Sequence, residues 1–433
     1  MSAGYPTRIE VPPDTRSTAL LLSGIRRGVV LVFLPVFVAG QAIAWLTYAV
    51  SGWYRPWSWF KIGLAETLAS VRVTFVARRV ATSAPIGRAP QAGSVLEIAI
   101  GALVVAVVVL AFRAGREQAR GLEGRPLAAA TAGAAPGLGF AVPMALIAPF
   151  VTLGFPQFGI YHLQPVLWQA LVLPLAMCGG CGAIGGLSAA REAIEGRGRW
   201  GVRWVGAARG GFAAFWWGLA LAFAGFLAVA VLEPGATGAY ARFVDRSGGS
   251  GAAIVVQHAL LLPNQSAMIL ATSMGVPTTL DVGATTVARL TLSGIRMDGN
   301  IGAGLAALVG APTTTATFPG WYLVFLAIPA AASLIGGRTA GRAAGGRPEA
   351  AIRGALAGVV YAVLCGVTAW AAAIVLPPWS GILGGSLRLG VDPRITTLVA
   401  LVWGAIGGAI GSMFAERERN ATNDAEQPER RRR

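Results

Sequence analysis

The sequence predicts an all-α fold: a polytopic transmembrane helix bundle of about 8–10 spans, with one interfacial amphipathic helix and a broken or re-entrant central segment. Three observations carry that expectation. Apolar residues make up 55% of the 433 positions, and 59 glycines come on top. Ordinary globular chains reach roughly 45–50% with glycine included. Charged residues are 12%, about half the usual share of ~25%, too few to clothe a soluble fold of this length. Finally, apolar runs of span length alternate with short arginine clusters, which is the pattern of cytoplasmic loops between membrane helices.

The net charge of +16 does not point to nucleic acid, because no basic domain is left over to bind a duplex. Lys61 is the one lysine among 35 basic residues, which fits the codon usage of a GC-rich genome. Cys178, Cys181 and Cys365 all fall inside apolar runs, so a disulfide framework is not expected.

Taken in order, residues 1–27 read as a cytoplasmic N-terminal tail, its first 17 positions polar and disordered. The transmembrane domain covers 28–415. Its first span, 28–50, imitates a signal peptide at its start but is long enough to cross, so it is read as uncleaved. The cluster Trp53, Tyr54, Trp57, Trp59 and Phe60 suits headgroup level. From Trp57 to Arg79, apolar residues recur at three- and four-residue steps while Lys61, Arg72 and Arg79 lie elsewhere on the wheel. That predicts an amphipathic helix lying in the interface. Further spans are expected near 94–112, 127–153, 165–190, 209–232, 319–337, 354–376 and 395–414. Residues 416–433 form a charged tail ending in four arginines, which anionic lipid could hold on the cytoplasmic side.

Counting basic residues loop by loop puts 23 on the side of both termini and 12 on the other, so both termini are predicted cytoplasmic. The segment 251–318 then starts and ends outside. It either re-enters the membrane and returns or makes a short double crossing, the second leg near Asn300 to Ala311.

Span ends resemble one another. Arg113, Arg191, Arg338 and Arg417 are separated by 78, 147 and 79 residues. A repeated hairpin of two spans accounts for this spacing, with 251–318 as an insertion. Transporter folds are often built from repeats of this sort.

The chemistry-bearing residues collect at Gln257, His258, Asn264, Gln265 and Ser266, with Pro263 as a helix break. On a continuous helix Gln257 and Asn264 share a stripe and His258 and Gln265 the next, so four polar groups lie on one face. Such a face could handle a solute or a proton. It could equally hydrogen-bond helices together, at about 0.6 kcal/mol per contact, and the absence of an acidic residue in it favours that role. Cys178 and Cys181 form a Cys-x-x-Cys inside an apolar span, where packing is the expected use; zinc would need two more ligands, and the histidines are 162 and 258. Gly182/Gly186, Gly354/Gly358, Gly404/Gly408 and Gly407/Gly411 permit close helix approach. Glu97 reads as a headgroup-level residue, and Thr278, Thr279 and 313–317 as loop or strand-like backbone. No Walker lysine, His-Glu-x-x-His or Gly-x-Ser-x-Gly is present, so the chain is read as non-enzymatic, without cofactor or metal.

The run Leu262-Pro263-Asn264-Gln265 with Met274-Gly275, and Phe318-Pro319-Gly320-Trp321 leading into a span that ends Gly336-Gly337-Arg338, resembles the actinobacterial streptophobe proteins. These are multi-pass Gly/Ala/Arg-rich membrane proteins of unknown function. The pattern is more loosely similar to an actinobacterial membrane family linked to cell division. Neither resemblance implies catalytic residues. Together they imply a protein of the cytoplasmic membrane, possible partners among other envelope membrane proteins, and the bilayer as its solvent. The alternative is a small-solute or ion transporter with its site on the broken segment 251–281.

Overall fold

The computed structural model describes residues 13–51, 56–80, 92–155, 160–246, 251–297, 316–342, 346–376 and 386–432. Helix α1 (Pro13–Arg27) passes through a π-helical stretch, Gly28–Phe33, into α2 (Leu34–Ser51). After α3 (Pro56–Ala69) come strands β1 (Phe75–Val80) and β2 (Val95–Leu96), then α4 (Gly101–Gln118), α5 (Pro126–Ala134) and α6 (Pro136–Ile147). Strands β3 (Leu153–Phe155) and β4 (Ile160–Pro165) lead to α7 (Leu167–Ala189), the short α8 (Arg191–Glu195) and α9 (Arg199–Leu232). Helices α10 (Pro234–Arg246), α11 (Gly251–Leu260) and α12 (Leu262–Ser273) precede β5 (Thr278–Val282), β6 (Thr285–Thr291), β7 (Gly294–Met297) and β8 (Ala316–Thr317). A 3-10 stretch, Gly320–Leu326, opens α13 (Ala327–Gly341); α14 (Arg347–Ala372), β9 (Ile374–Leu376), β10 (Leu387–Val391) and α15 (Pro393–Arg432) close the chain.

Seven helical segments among the described residues are long and apolar enough to cross a membrane: Thr18–Thr47, Pro126–Phe150, Leu167–Ala189, Trp200–Leu232, Gly320–Gly341, Arg347–Ala372 and Pro393–Glu418. Seven expected spans fall on them, which is compatible with a multi-pass membrane protein. Their outer faces carry large apolar side chains such as Trp45, Leu146, Trp168, Val231 and Leu398, whereas glycine and alanine fill many of the contacts between helices. The eighth expected span, 94–112, is corrected. Its start is extended chain, and α4 begins only at Gly101, with Arg113, Arg116 and Glu117 near its end.

Both tails also differ from expectation. The chain is helical from Pro13, and Gln118 on α4 donates to the Leu20 carbonyl at 2.7 Å, so the end of the 1–27 segment packs on the bundle. Likewise α15 runs on through 416–432; Glu416 is buried and Glu418 pairs with Arg338.

The expected interfacial helix is the largest correction. Residues 57–79 are a short helix, a turn and a strand, and 63–75 are buried throughout. Gly63 lies directly on the Gln41 side chain, and Gly40 faces Thr67, so α3 seats against α2 instead of floating beside it. The β-branched Val71, Val73 and Thr74 favour extended backbone where the wheel would continue.

The strands form two antiparallel sheets, ordered β2-β1-β4-β3 and β8-β7-β6-β5-β10-β9. A bridge between Glu97 and Val375 joins their neighbouring edges, so all ten strands lie at one end of the helices. The fold is therefore helical with a small β-layer, which a purely all-α reading omits. The short connections α4–α5, α7–α8 and α13–α14 lie at the other end.

The strand pairings and glycine contacts fall into two matching units, each larger than the two-span hairpin expected from the spacing. Each unit contains a crossing helix, a buried helix entering from the strand end, an extended return, and three more helices. Strand β1 pairs with β2 and β4, and β4 with β3; β5 pairs with β6 and β10, and β10 with β9. The glycine contacts match as well. Gly115 and Gly133 both press on Gly182, as Gly337 and Gly354 press on Gly408; Gly137 meets Gly179, and Gly358 meets the Gly404–Ala405 backbone. Each unit has its own apolar core, one around Phe140 and Met144, the other around Tyr361 and Phe325.

The segment 251–318 is thus not an insertion into a regular series. Its helical part is the second copy of the device that α3 forms in the first unit. What is extra in the second unit is the helix pair α10 and α11 before the inward helix and the extension from β7 onward. The proposed second crossing at 300–311 lies outside the described residues. The strands that flank it, β7 and β8, pair with each other.

Candidate functional site

Two helices, α3 and α12, run inward from the strand end and stop inside the bundle. Both end in the same way. Arg72 (φ 59) and Gly275 (φ 98) are left-handed, and the next N–H reaches back five residues, Val73 to Leu68 O at 3.4 Å and Val276 to Ala271 O at 3.1 Å. These bonds, with Arg72 N to Ala69 O and Gly275 N to Thr272 O, close a Schellman cap. Ser70 and Ser273 repeat too, each hydroxyl donating to the carbonyl three residues before it. The extended chain then climbs back into β1 or β5. The α12 tip is firmly packed. Trp403 Nε1 donates to Met274 O at 3.3 Å, the Tyr361 hydroxyl meets Met274 Sδ at 3.7 Å, and the nearby void is about 10 Å³, at the lower limit for one water.

The break expected at Pro263 falls at Leu261, with Pro263 in the first turn of α12, where its missing N–H costs nothing. The axes of α11 and α12 differ by 56°. That bend disperses the expected polar face. Gln257 turns to α2 and donates to Thr47 Oγ1 at 3.1 Å. His258 stays with Gln265, Nε2 to Oε1 3.1 Å, and packs edge-on against Tyr240 at 4.9 Å between centroids. Ser266 donates to Leu262 O within its own helix at 3.0 Å, so it forms no dyad with His258.

Asn264 goes elsewhere. Its Oδ1 accepts the Gly101 N–H at 2.8 Å, and its Nδ2 donates to Ala99 O at 2.9 Å and Ala372 O at 3.4 Å. One buried amide therefore caps the start of α4 and ties it to the end of α14, joining the two units. Gly101 is needed because an added Cβ would strike Asn264 Oδ1. Asn264→Ala leaves at least one buried backbone group unpaired, at ~1–3 kcal/mol. The expected result is a clear drop in the thermal unfolding midpoint in detergent, against a smaller change for Ser266→Ala, whose one hydrogen bond stays within its own helix.

Sequence reading missed two charged features on the same seam. Arg72 is 5% exposed, donates to Glu97 Oε2 at 3.0 Å, and places its guanidinium 4.5 Å from the centroid of Trp370 on α14. Thr74 Oγ1 completes Glu97 at 3.1 Å. Glu97 is thus a structural anion, held by the first unit and backed by the second. The other feature is Glu66, 8% exposed on α3, with Oε2 lacking any hydrogen-bond partner. An acidic residue does line this seam, on a helix the sequence placed at the surface. The signal was Glu66 in a run whose neighbours are Gly63 and Ala65, too small for an interfacial anchor.

Comparison brings no outside guide. No family model, curated protein or solved structure matches the chain. Function has to be argued from the site itself. Cys178 is buried in the first core and Cys181 packs at its edge, both as free thiols. Among the described residues, no group of three or more His, Cys, Asp or Glu side chains comes together as a metal site would.

Proposed function

We propose that the chain is a multi-pass, non-enzymatic protein of the cytoplasmic membrane that serves an envelope or division assembly through the β-layer on its outer face. The observation that carries this reading is the layer itself. Four connections, one from each pair of helices at that end, contribute to it, and Arg78, Arg79, Arg289, Arg296 and Arg388 are exposed on it. A surface with that charge suits an acidic envelope protein. Both termini then lie in the cytoplasm, where the terminal arginines meet anionic lipid. Likeness to the streptophobe proteins belongs to the same proposal.

Site-specific photocrosslinking in intact cells tests it. A photoreactive residue in place of Arg289 on β6 is expected to give discrete adducts with envelope proteins. Reversing the other four arginines to glutamate should remove them, and the same probe at lipid-facing Leu398 should give none. Identical adducts at both positions, or none at Arg289, would contradict the reading.

The duplicated inward helices favour a second reading, a small-solute or ion transporter, since transporter sites are commonly built on broken helices at repeat interfaces. Under it, flux in proteoliposomes falls on His258→Ala. Absence of flux for ions and small solutes together with crosslinked partners would leave only the first reading.

A further inference from the structure

The seam between the units holds a carboxyl group with no charge to balance it. Glu66 sits on α3, one helical turn from Gly63, where the Gln41 side chain rests. Its side chain also interacts with Gln257 of α11, across the seam. Glu66 Oε2 and Gln41 Oε1 are both buried acceptors without a donor. Residues three apart on a helix are neighbours, so both orphan oxygens belong to the same stretch of the contact between α2 and α3. Two acceptors facing an apolar core are unfavourable, and an isolated buried carboxylate much more so.

The charged groups around it do not relieve this. Helix α2 supplies Gln41 and Thr47 and no charged residue. On α3 itself Lys61 is exposed to the outside. On α11, His258 is engaged with Gln265 and Tyr240. Beyond the tip, Arg72 is closed on Glu97. Neither α6 nor the adjoining Ala148–Phe150 turn carries a charged residue. No ion pair reaches Glu66 among the described residues.

We propose that Glu66 is a proton-binding site at the unit interface, occupied at neutral pH, whose carboxyl proton is shared with the amide oxygen of Gln41 while the Gln257 amide donates to the carboxyl from across the seam. One proton turns two unpaired acceptors into a donor and an acceptor and removes the buried charge. Since Gln41 and Glu66 belong to the first unit and Gln257 to the second, the bound proton is part of what holds the units together at this point. The site serves either functional reading and depends on neither.

Infrared difference spectroscopy of the whole protein in lipid nanodiscs tests this without an activity assay. At neutral pH the wild type is expected to show the C=O stretch of a protonated carboxylic acid. Glu66→Gln should lose that band, Gln257→Leu should shift it, and replacing sodium with choline should leave it unchanged. A spectrum in which Glu66→Gln removes no such band would overturn the proposal. So would a band that disappears on adding sodium, which would mark a cation ligand in place of a proton site. If Glu66→Gln does not fold, Gln257→Leu decides: a band that does not move contradicts the assignment.

Discussion

Gly408→Val is expected to destabilise the second unit severely. A Cβ at Gly408 would strike the Gly354 carbonyl, and the Gly408 backbone itself is where Gly337 and Gly354 make their closest approach. Three helices meet there with no side chain to move aside, so relief requires the backbones to separate. Overpacking of this kind costs ~1–3 kcal/mol and occasionally more, and the upper end applies where backbone is the obstacle. Gly182→Val should do the same in the first unit, because Gly115 and Gly133 stand in the equivalent places. Gly180, two residues away on α7, has nothing within 4 Å of an added Cβ, so Gly180→Val should stay within about 0.5 kcal/mol of wild type. Thermal unfolding in detergent, followed by size-exclusion profile, reads all three. Equal effects at Gly180 and Gly182 would contradict the packing described for α7.

Glu97→Ala is the second large effect. It strips the partner from a guanidinium that is 5% exposed and has two further nitrogens, Nε and Nη1, without partners. Removing one member of a buried pair costs about 3–5 kcal/mol; Glu97 is 27% exposed, which places the expectation at the low end of that range. Arg72 also bears left-handed strain that Gly275 escapes at the matching position, worth ~1–2 kcal/mol in a non-glycine residue. The double change Arg72→Gly with Glu97→Leu removes charge and strain together and should recover most of the loss. A double variant as unstable as Glu97→Ala would show that the cost lies in Thr74 and the strand edge, not in the orphaned cation.

How much of this was readable from the chain depends on what each feature rests on. Span positions were read from apolar length alone, and seven of them fall on helices long and apolar enough to cross a membrane. The glycine pairs at 182, 354 and 404–411 were visible as spacing, though their partners were not, since spacing within one helix does not say which glycines of other helices, here Gly115 and Gly337, lie against them. The inward helices were hidden in different ways. At α12 the Pro-Asn-Gln run advertised a break, but its bend rotates Asn264 away from Gln257, so a stripe drawn on a straight helix grouped residues that part. Over 57–79 the wheel was amphipathic enough to mislead: Glu66 and Arg72 are buried and serve the seam, while Lys61, Arg78 and Arg79 face out. The four arginine markers lie toward the end of the helices away from the strands, and their spacing alone could not distinguish a series of two-span hairpins from two larger units.

The central claim is that both units enter from the same side and gather their strands in one outer layer. Cysteine labelling in intact cells tests it most directly, in a background where Cys178, Cys181 and Cys365 are alanine. His162→Cys on β4 and Ala284→Cys at the β5–β6 turn, both exposed positions, are expected to react with a membrane-impermeant thiol reagent. Gly124→Cys and Arg197→Cys, at the opposite end of the helices, should react only after permeabilisation. Labelling of 162 and 284 from opposite sides would contradict the two-unit fold.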